Sequence, residues 1–310
     1  MAFVTILESS PRDGLQNEQV GLATGDKIDL VRRAIAFGAR RIEVASFVNP
    51  RRVPQMADGE AVIAGLPDDP AVRYTALCLN QRSVERAIAT RATGRGIDEV
   101  GCVLVASDAF GIANQGQTVA DGITANRAMI ASARGAGLRA QVTIAASFGC
   151  PFQGPVSSPL VLDLAQAMAE AGAEEVAFAD TIGVAVPAQV GEMVERAFDK
   201  LGADFALRVH LHDTRGMGPG NAWAAYLAGC RTFDSALGGI GGCPFAPAAT
   251  GNVATEELIY LFERSGISTG LDLAAAHAAN EWLAGKLGRP LPSRVGRAGD
   301  FYPTEQRESA

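Results

Sequence analysis

The chain of 310 residues is predicted to fold as a (β/α)8 barrel. Three observations carry that expectation. Eight short, nearly continuous apolar runs punctuate the sequence, as strands buried on both faces of a parallel sheet require. Stretches with helical spacing of apolar residues separate them, the alternation that builds α/β folds. At five places a glycine stands between a helical stretch and the next apolar run, where a left-handed cap ends a helix without steric cost.

The strands are expected at residues 3–8, 40–45, 72–78, 98–105, 140–146, 175–179, 206–211 and 232–237. The capping glycines are Gly38 before RIEVAS, Gly96 before EVGCVLVA, Gly137 before AQVTIAAS, Gly172 before EVAFAD and Gly229 before TFDSAL. Helices are expected at 24–38, with Ile28, Val31 and Ile35 in register, and at 187–202, which Pro187 opens and Gly202 closes. The latter carries the stripe Val190, Met193, Val194, Ala197 and Leu201. In 158–172, Ser158 is placed to cap the amides, Pro159 suits the first helical position, and Leu160, Leu164 and Met168 share a face. A doubly wound sheet is the structural competitor, but no G-x-G-x-x-G follows the first strand and eight repeats favour closure. The barrel is assigned to residues 1–270; residues 271–310 are expected to pack on it within the same domain, helical at 272–288 and irregular in GRPLPSRVGRAGD.

Composition narrows the function. A hydrophobic fraction of 48% is ample for a core, and a net charge of −7 argues against a nucleic-acid partner, which needs clustered Lys and Arg. No apolar run approaches the ~20 residues of a membrane span. The N-terminus shows no apolar signal stretch, so a cytoplasmic location is expected. Cys78, Cys102, Cys150, Cys230 and Cys243 are scattered, odd in number and form no C-x-x-C pair, which fits reduced thiols.

A barrel keeps its chemistry at the C-terminal ends of its strands. Arg12 and Asp13 follow strand one in ESSPRDGLQNE, Glu43 lies near the end of strand two, Asp180 ends strand six, and His210 and His212 end strand seven. Two of the three histidines therefore stand at i, i+2 in VHLHDT, which turns both imidazoles to one side of a strand. A hydrogen-bonded histidine pair is one reading; with Asp13 across the mouth, a divalent cation is the favoured one. His277 sits in an alanine-rich helix and reads as a surface or packing residue. Asp213 and Thr214 either orient an imidazole or, more simply, cap the next helix. The loop GGIGGCPFAPAATGN, 238–252, lacks G-K-[ST] and reads as a movable segment carrying Cys243. Packing explains Cys243 equally well, and Asn252 is open between capping a helix and offering its amide oxygen to a cation.

Taken together, ESSPRDGLQNE, IEVASFVNPRRVPQMAD, FADTIGV, HLHDTRG and GGIGGCPFAPAATGNVATEEL closely resemble the hydroxymethylglutaryl-CoA lyase family, in order over nearly the whole chain. The resemblance implies a metal-dependent barrel in which Asp13, His210, His212 and Asn252 bind Mg2+ or Mn2+. It implies retro-Claisen cleavage of a 3-hydroxyacyl-CoA bearing a distal carboxylate, to acetyl-CoA and a keto acid, with hydroxymethylglutaryl-CoA the leading substrate. Arg12 is then expected to stabilise the enolate, His210 to act as base, Cys243 to protonate the acetyl-CoA carbon, and Glu43 and Asp180 to orient these groups. A homodimer, and a place in leucine degradation and ketone-body metabolism, are likewise implied.

The chain also departs from that pattern. Typical members carry Arg-x-Tyr on strand five, where Gln141-Val142-Thr143 stand here, and many have Tyr-Gly after HDT, where Arg215-Gly216 stand. These changes touch the acyl-facing walls, so citramalyl-CoA or a longer 3-hydroxy-dicarboxylyl-CoA is the rival substrate. Arg215 reads either as a carboxylate partner or as an exposed helix start. A condensing synthase resembles the chain less, because the short tail leaves no room for a regulatory domain.

Overall fold

In the computed structural model, which describes residues 2–92, 94–242 and 251–301, eight strands close into one barrel in chain order, every neighbouring pair parallel. They are β1 (Thr5–Glu8), β2 (Arg41–Ser46), β3 (Arg73–Cys78), β4 (Glu99–Val105), β5 (Arg139–Ala145), β6 (Glu175–Asp180), β7 (Leu207–Leu211) and β8 (Thr232–Ser235). The seam closes where Leu7 on β1 stands opposite Asp234 on β8. The helices are α1 (Thr24–Ala36), α2 (Gly59–Ala64), α3 (Gln81–Ala89), α4 (Asp108–Gln115), α5 (Val119–Gly135), α6 (Ser158–Glu170), α7 (Pro187–Leu201), α8 (Gly218–Leu227), α9 (Thr255–Arg264), α10 (Leu273–Leu287) and α11 (Arg294–Ala298). All five capping glycines have positive φ, from +69° at Gly96 to +107° at Gly229.

Local differences have local causes. β1 begins at Thr5 because Phe3 is half exposed and joined only by a single bridge to Ser268. Ser158 is the first residue of α6 rather than its cap; its hydroxyl accepts from Arg196 Nη1 at 2.9 Å. Leu160 faces solvent, and Val161 and Leu162 complete the buried face with Leu164 and Met168. The tail expected to be irregular holds α11, capped by Ser293, whose Oγ accepts from Gly296 N at 2.7 Å.

The apolar core lies between strands and helices, with Phe37, Tyr74, Phe178, Phe233 and Phe262 fully buried. Inside the barrel the expectation of strands apolar on both faces fails. Arg41, Glu99, Glu175, Arg208 and Asp234 are buried there. Arg41 Nε donates to Glu99 Oε2 at 2.9 Å and its Nη1 to Glu175 Oε2 at 2.7 Å; Arg208 Nε donates to Glu175 Oε1 at 2.7 Å and its Nη1 to Asp234. Each guanidinium lies between two carboxylates, which offsets the cost of taking the charges out of water. This ladder climbs from the start of β2 to the mouth.

α10 packs against α1 and α9, with Arg33 stacked over the Trp282 ring at 4.5 Å and Lys286 paired with Asp26 at 2.7 Å. Among the described residues no helix is long and apolar enough to cross a membrane.

Candidate active site at the mouth of the barrel

The turn after β1 explains why an arginine and an aspartate adjoin. Ser10–Gly14 form one helical turn closed by the amides of Arg12, Asp13 and Gly14 on Ser9 O. Buried Glu8 anchors it: Oε1 accepts from Ser10 N at 2.8 Å and Leu237 N at 3.0 Å, and Oε2 from Thr255 Oγ1 at 2.6 Å. Gly14 is needed because a Cβ there stands 2.7 Å from Ile240 Cγ1. So held, Arg12 pairs with Asp13 and donates from Nε to Glu43 Oε2 at 2.7 Å.

Opposite, the two imidazoles of β7 and its continuation point inward with ring centroids 5.2 Å apart. His210 Nδ1 lies 3.0 Å from Asp234 Oδ2, and its Nε2 lies 3.9 Å from Asp13 Oδ2. Asn252 arrives because the chain after β8 lies beside β7: His212 and Asn252 form a bridge, and Val253 N donates to Leu211 O at 2.9 Å. Its Nδ2 donates to Asp13 Oδ2 at 2.8 Å and to Ile240 O at 3.1 Å.

These residues fit a cation. One ligand atom each from Asp13, His210 and His212 lies within 4.8 Å of the others. Asn252 Oδ1 and His212 Nδ1 are buried with no hydrogen-bond partner among the described residues, which a folded protein rarely tolerates without a ligand or water. The protonation states of Asp13 and His212 agree. Burial works against ionising Asp13, but the Arg12 charge, and after it that of His210, holds its carboxyl well below the usual range. Burial and the His210 charge push His212 down to about 4, which leaves it neutral with a lone pair to offer. Burial opposes charging His210 as well, yet the Asp234 hydrogen bond and charge raise it.

The cluster opens into a cavity of about 190 Å3, lined also by Arg12, Glu43, Gln141, Thr143 and Arg208. A larger cleft of about 760 Å3 lies at the other end of the barrel, around Arg73 and Arg139, and contains none of the cation cluster. The chemistry therefore belongs to the smaller one.

A model of the family described as HMGL-like matches residues 3–283. The chain belongs to the HMGL-like family. It is 44% identical to the (R)-citramalyl-CoA lyase of Chloroflexus aurantiacus, over 98% of this chain and 97% of that protein. It is 37% identical to the hydroxymethylglutaryl-CoA lyase YngG of Bacillus subtilis, over 94% and 95%. A solved HMG-CoA lyase from Acenitobacter baumannii, in complex with coenzyme A and 3-methylmalate, superposes with a TM-score of 0.91 at 37% identity, over 97% of each chain. This HMGL-like chain is accordingly a carbon–carbon lyase.

Of the residues singled out in the sequence, Arg12, Asp13, Glu43, His210, His212 and Asn252 converge here. Asp180 stands aside, its oxygens accepting from Val184 N at 2.8 Å and Ala185 N at 3.0 Å, though close enough to His210 to feel its charge. Arg215 is exposed and donates from Nη1 to Ile182 O at 3.1 Å and to Gly183 O, outside the cavity. Asp213 caps α8 by accepting from Gly218 N at 2.7 Å. His277 lies 3.7 Å from Glu281 on α10. Cys243 lies outside the described residues; Gly242, just before it, lines the cavity, and its carbonyl accepts from Asn17 Nδ2. Sequence reading missed Arg208 and Asp234. The signal was there: Arg208 precedes His210 by two, hence shares its face, and Asp234 interrupts an apolar run.

Proposed function

We propose that this lyase cleaves a 3-hydroxyacyl-CoA carrying a distal carboxylate, releasing acetyl-CoA and a keto acid, with 3-hydroxy-3-methylglutaryl-CoA the leading substrate and acetoacetate its second product. The observation that carries the reading is the convergence of Asp13, His210 and His212 beside the Asn252 oxygen, which has no partner among the described residues. Oxygen and imidazole ligands of this kind suit Mg2+ or Mn2+. Such a cation, when bound, would lower the pKa of a hydroxyl held against it.

The chain's own groups do the rest. His210 has one lone pair to give, because Asp234 engages Nδ1. A lone pair shared with a cation cannot also take a proton, so we keep His210 as a ligand and assign the proton acceptor to Glu43. That carboxylate lines the cavity, and among the described residues only its Oε2 is engaged. Burial, partly offset by Arg12, raises its carboxyl above the ordinary value, toward the range useful to a base. Loss of the hydroxyl proton lets the carbinol collapse to a carbonyl, breaking the carbon–carbon bond and moving the electron pair onto the thioester carbonyl. Arg12 stabilises that enolate. Cys243 then protonates its carbon, and Asp180 holds the turn after β6 beside His210.

Citramalyl-CoA is a second reading, favoured by Gln141 and Thr143 on the cavity wall and by the 44% relative. A homodimer in the cytoplasm completes the proposal, on the strength of the resemblance. The deciding experiment follows acetyl-CoA from a panel of 3-hydroxyacyl-CoA thioesters with Mg2+, before and after chelation. Cleavage abolished by chelator is expected; no acetyl-CoA from any thioester, or free thiol from acetyl-CoA and a 2-oxo acid, sinks the reading.

A further inference from the structure

Positions 141 and 143 on β5, where the chain departs from Arg-x-Tyr, meet a guanidinium from another strand. Arg208 on β7 donates from Nη2 to Gln141 Oε1 and, at 3.2 Å, to Thr143 Oγ1. Its Nη1 is held by Asp234 and its Nε by Glu175, and the residue is 3% exposed. A guanidinium gripped on three sides has one orientation, and it dictates that of its partners.

Gln141 has its oxygen turned to Arg208, so its amide nitrogen points away. The residue is 4% exposed and lines the cavity, and Nε2 has no acceptor among the described residues. Thr143 accepts from Arg208, so its hydroxyl hydrogen is also directed elsewhere. Two donors thus share one cavity wall, backed by a positive charge. An anionic oxygen pair is the group that satisfies such a wall. Asp234 accepts from Arg208 and meets His210 Nδ1, which ties this wall to the cation cluster.

We propose that Arg208 is a positioning residue that makes Gln141 and Thr143 the subsite for the carboxylate of the acyl group, and so sets the acyl length this lyase accepts. The inference rests on the lyase reading above. With the carbinol placed by the cation cluster and the carboxylate by this wall, a chain one methylene longer or shorter misplaces one of them. Arg208 also takes the place that Arg215, outside the cavity, does not fill.

The test compares citramalyl-CoA with 3-hydroxy-3-methylglutaryl-CoA, which differ by one methylene, in Gln141→Ala, Thr143→Val, Arg208→Lys and the double variant Gln141→Arg/Arg208→Gln. Mn2+ affinity is measured alongside. Gln141→Ala and Thr143→Val are expected to raise KM for the preferred thioester about tenfold with kcat held within about threefold, to change the preference ratio, and to leave Mn2+ affinity unaltered. Arg208→Lys keeps a charge for Asp234 and Glu175 but cannot bridge both wall residues, so it shows the same KM effect. The double variant returns a guanidinium to the wall from β5 and recovers part of the loss. Unchanged KM and ratio in Gln141→Ala and Thr143→Val overturn the inference, as does an Arg208→Lys defect confined to kcat and Mn2+ affinity. A wild-type protein that releases acetyl-CoA from no 3-hydroxyacyl-CoA of the panel, these two included, overturns the lyase reading itself, and this inference with it.

Discussion

His210 Nδ1 and Asp234 Oδ2 lie 3.0 Å apart, and the same carboxylate oxygen accepts from Arg208. The contact fixes the imidazole with its hydrogen on Nδ1 and its lone pair at Nε2, facing Asp13. Asp234→Asn removes the charge behind the ring while keeping an acceptor. Cation affinity is expected to fall about 10- to 100-fold, read by Mn2+ binding. An affinity equal to wild type rules out this orienting role.

Arg12 is held by two carboxylates in a fork that lysine cannot copy. Arg12→Lys is expected to lower kcat about 100- to 1,000-fold with little change in KM, because the donor acts on charge that develops only in the transition state. A loss confined to KM places Arg12 on the ground-state substrate instead. Glu43→Gln in the same assay should abolish the acidic limb of the kcat profile if Glu43 is the base; an unaltered limb excludes it.

Gly14 has no room for a side chain. Gly14→Ala pushes a methyl into Ile240 and displaces the turn that carries Asp13. A cost of about 1–3 kcal/mol in denaturant unfolding is expected, together with weakened Mn2+ binding. Ile240→Ala in the same background should recover part of both, and its failure to do so points to some other cause.

Glu256 on α9 gives a pH signature remote from the chemistry. Burial raises its carboxyl to about 8, against the lowering effect of the Asn280 donor. The unfolded chain releases that proton at the ordinary carboxylate value, about 4.3. Between these limits the folded protein holds a proton the unfolded chain has lost, so this contribution to stability is complete below the lower limit. It falls as pH rises toward the upper, by at most about 1.4 kcal/mol per pH unit. Glu256→Gln cannot ionise, and its urea midpoint should gain on wild type steadily from pH 5 to 8. Parallel curves refute the assignment.

The barrel was legible because its signals are local. Glycines at positive φ, proline at the start of α7 and short apolar runs are each set by a few adjacent residues. Half of the site was legible for the same reason: the i, i+2 spacing of His210 and His212 and the position of Asp13 after β1 need only strand geometry and the rule that barrels work at their strand ends. What stayed hidden depends on partners far apart in the chain. Arg208 and Gln141 are 67 residues apart, and Asn252 reaches Asp13 across 239. The sequence by itself therefore determined the alternation of elements, the closing count of eight strands and the place of Asp13, His210 and His212 at the mouth. Only the tertiary structure decided that the barrel interior is a ladder of charge pairs, that Arg208 rather than Arg215 meets Gln141 and Thr143, and that His210 has a single nitrogen left to offer. Closure sets these pairings, because it is the circular registration of strands that brings each buried charge to its opposite.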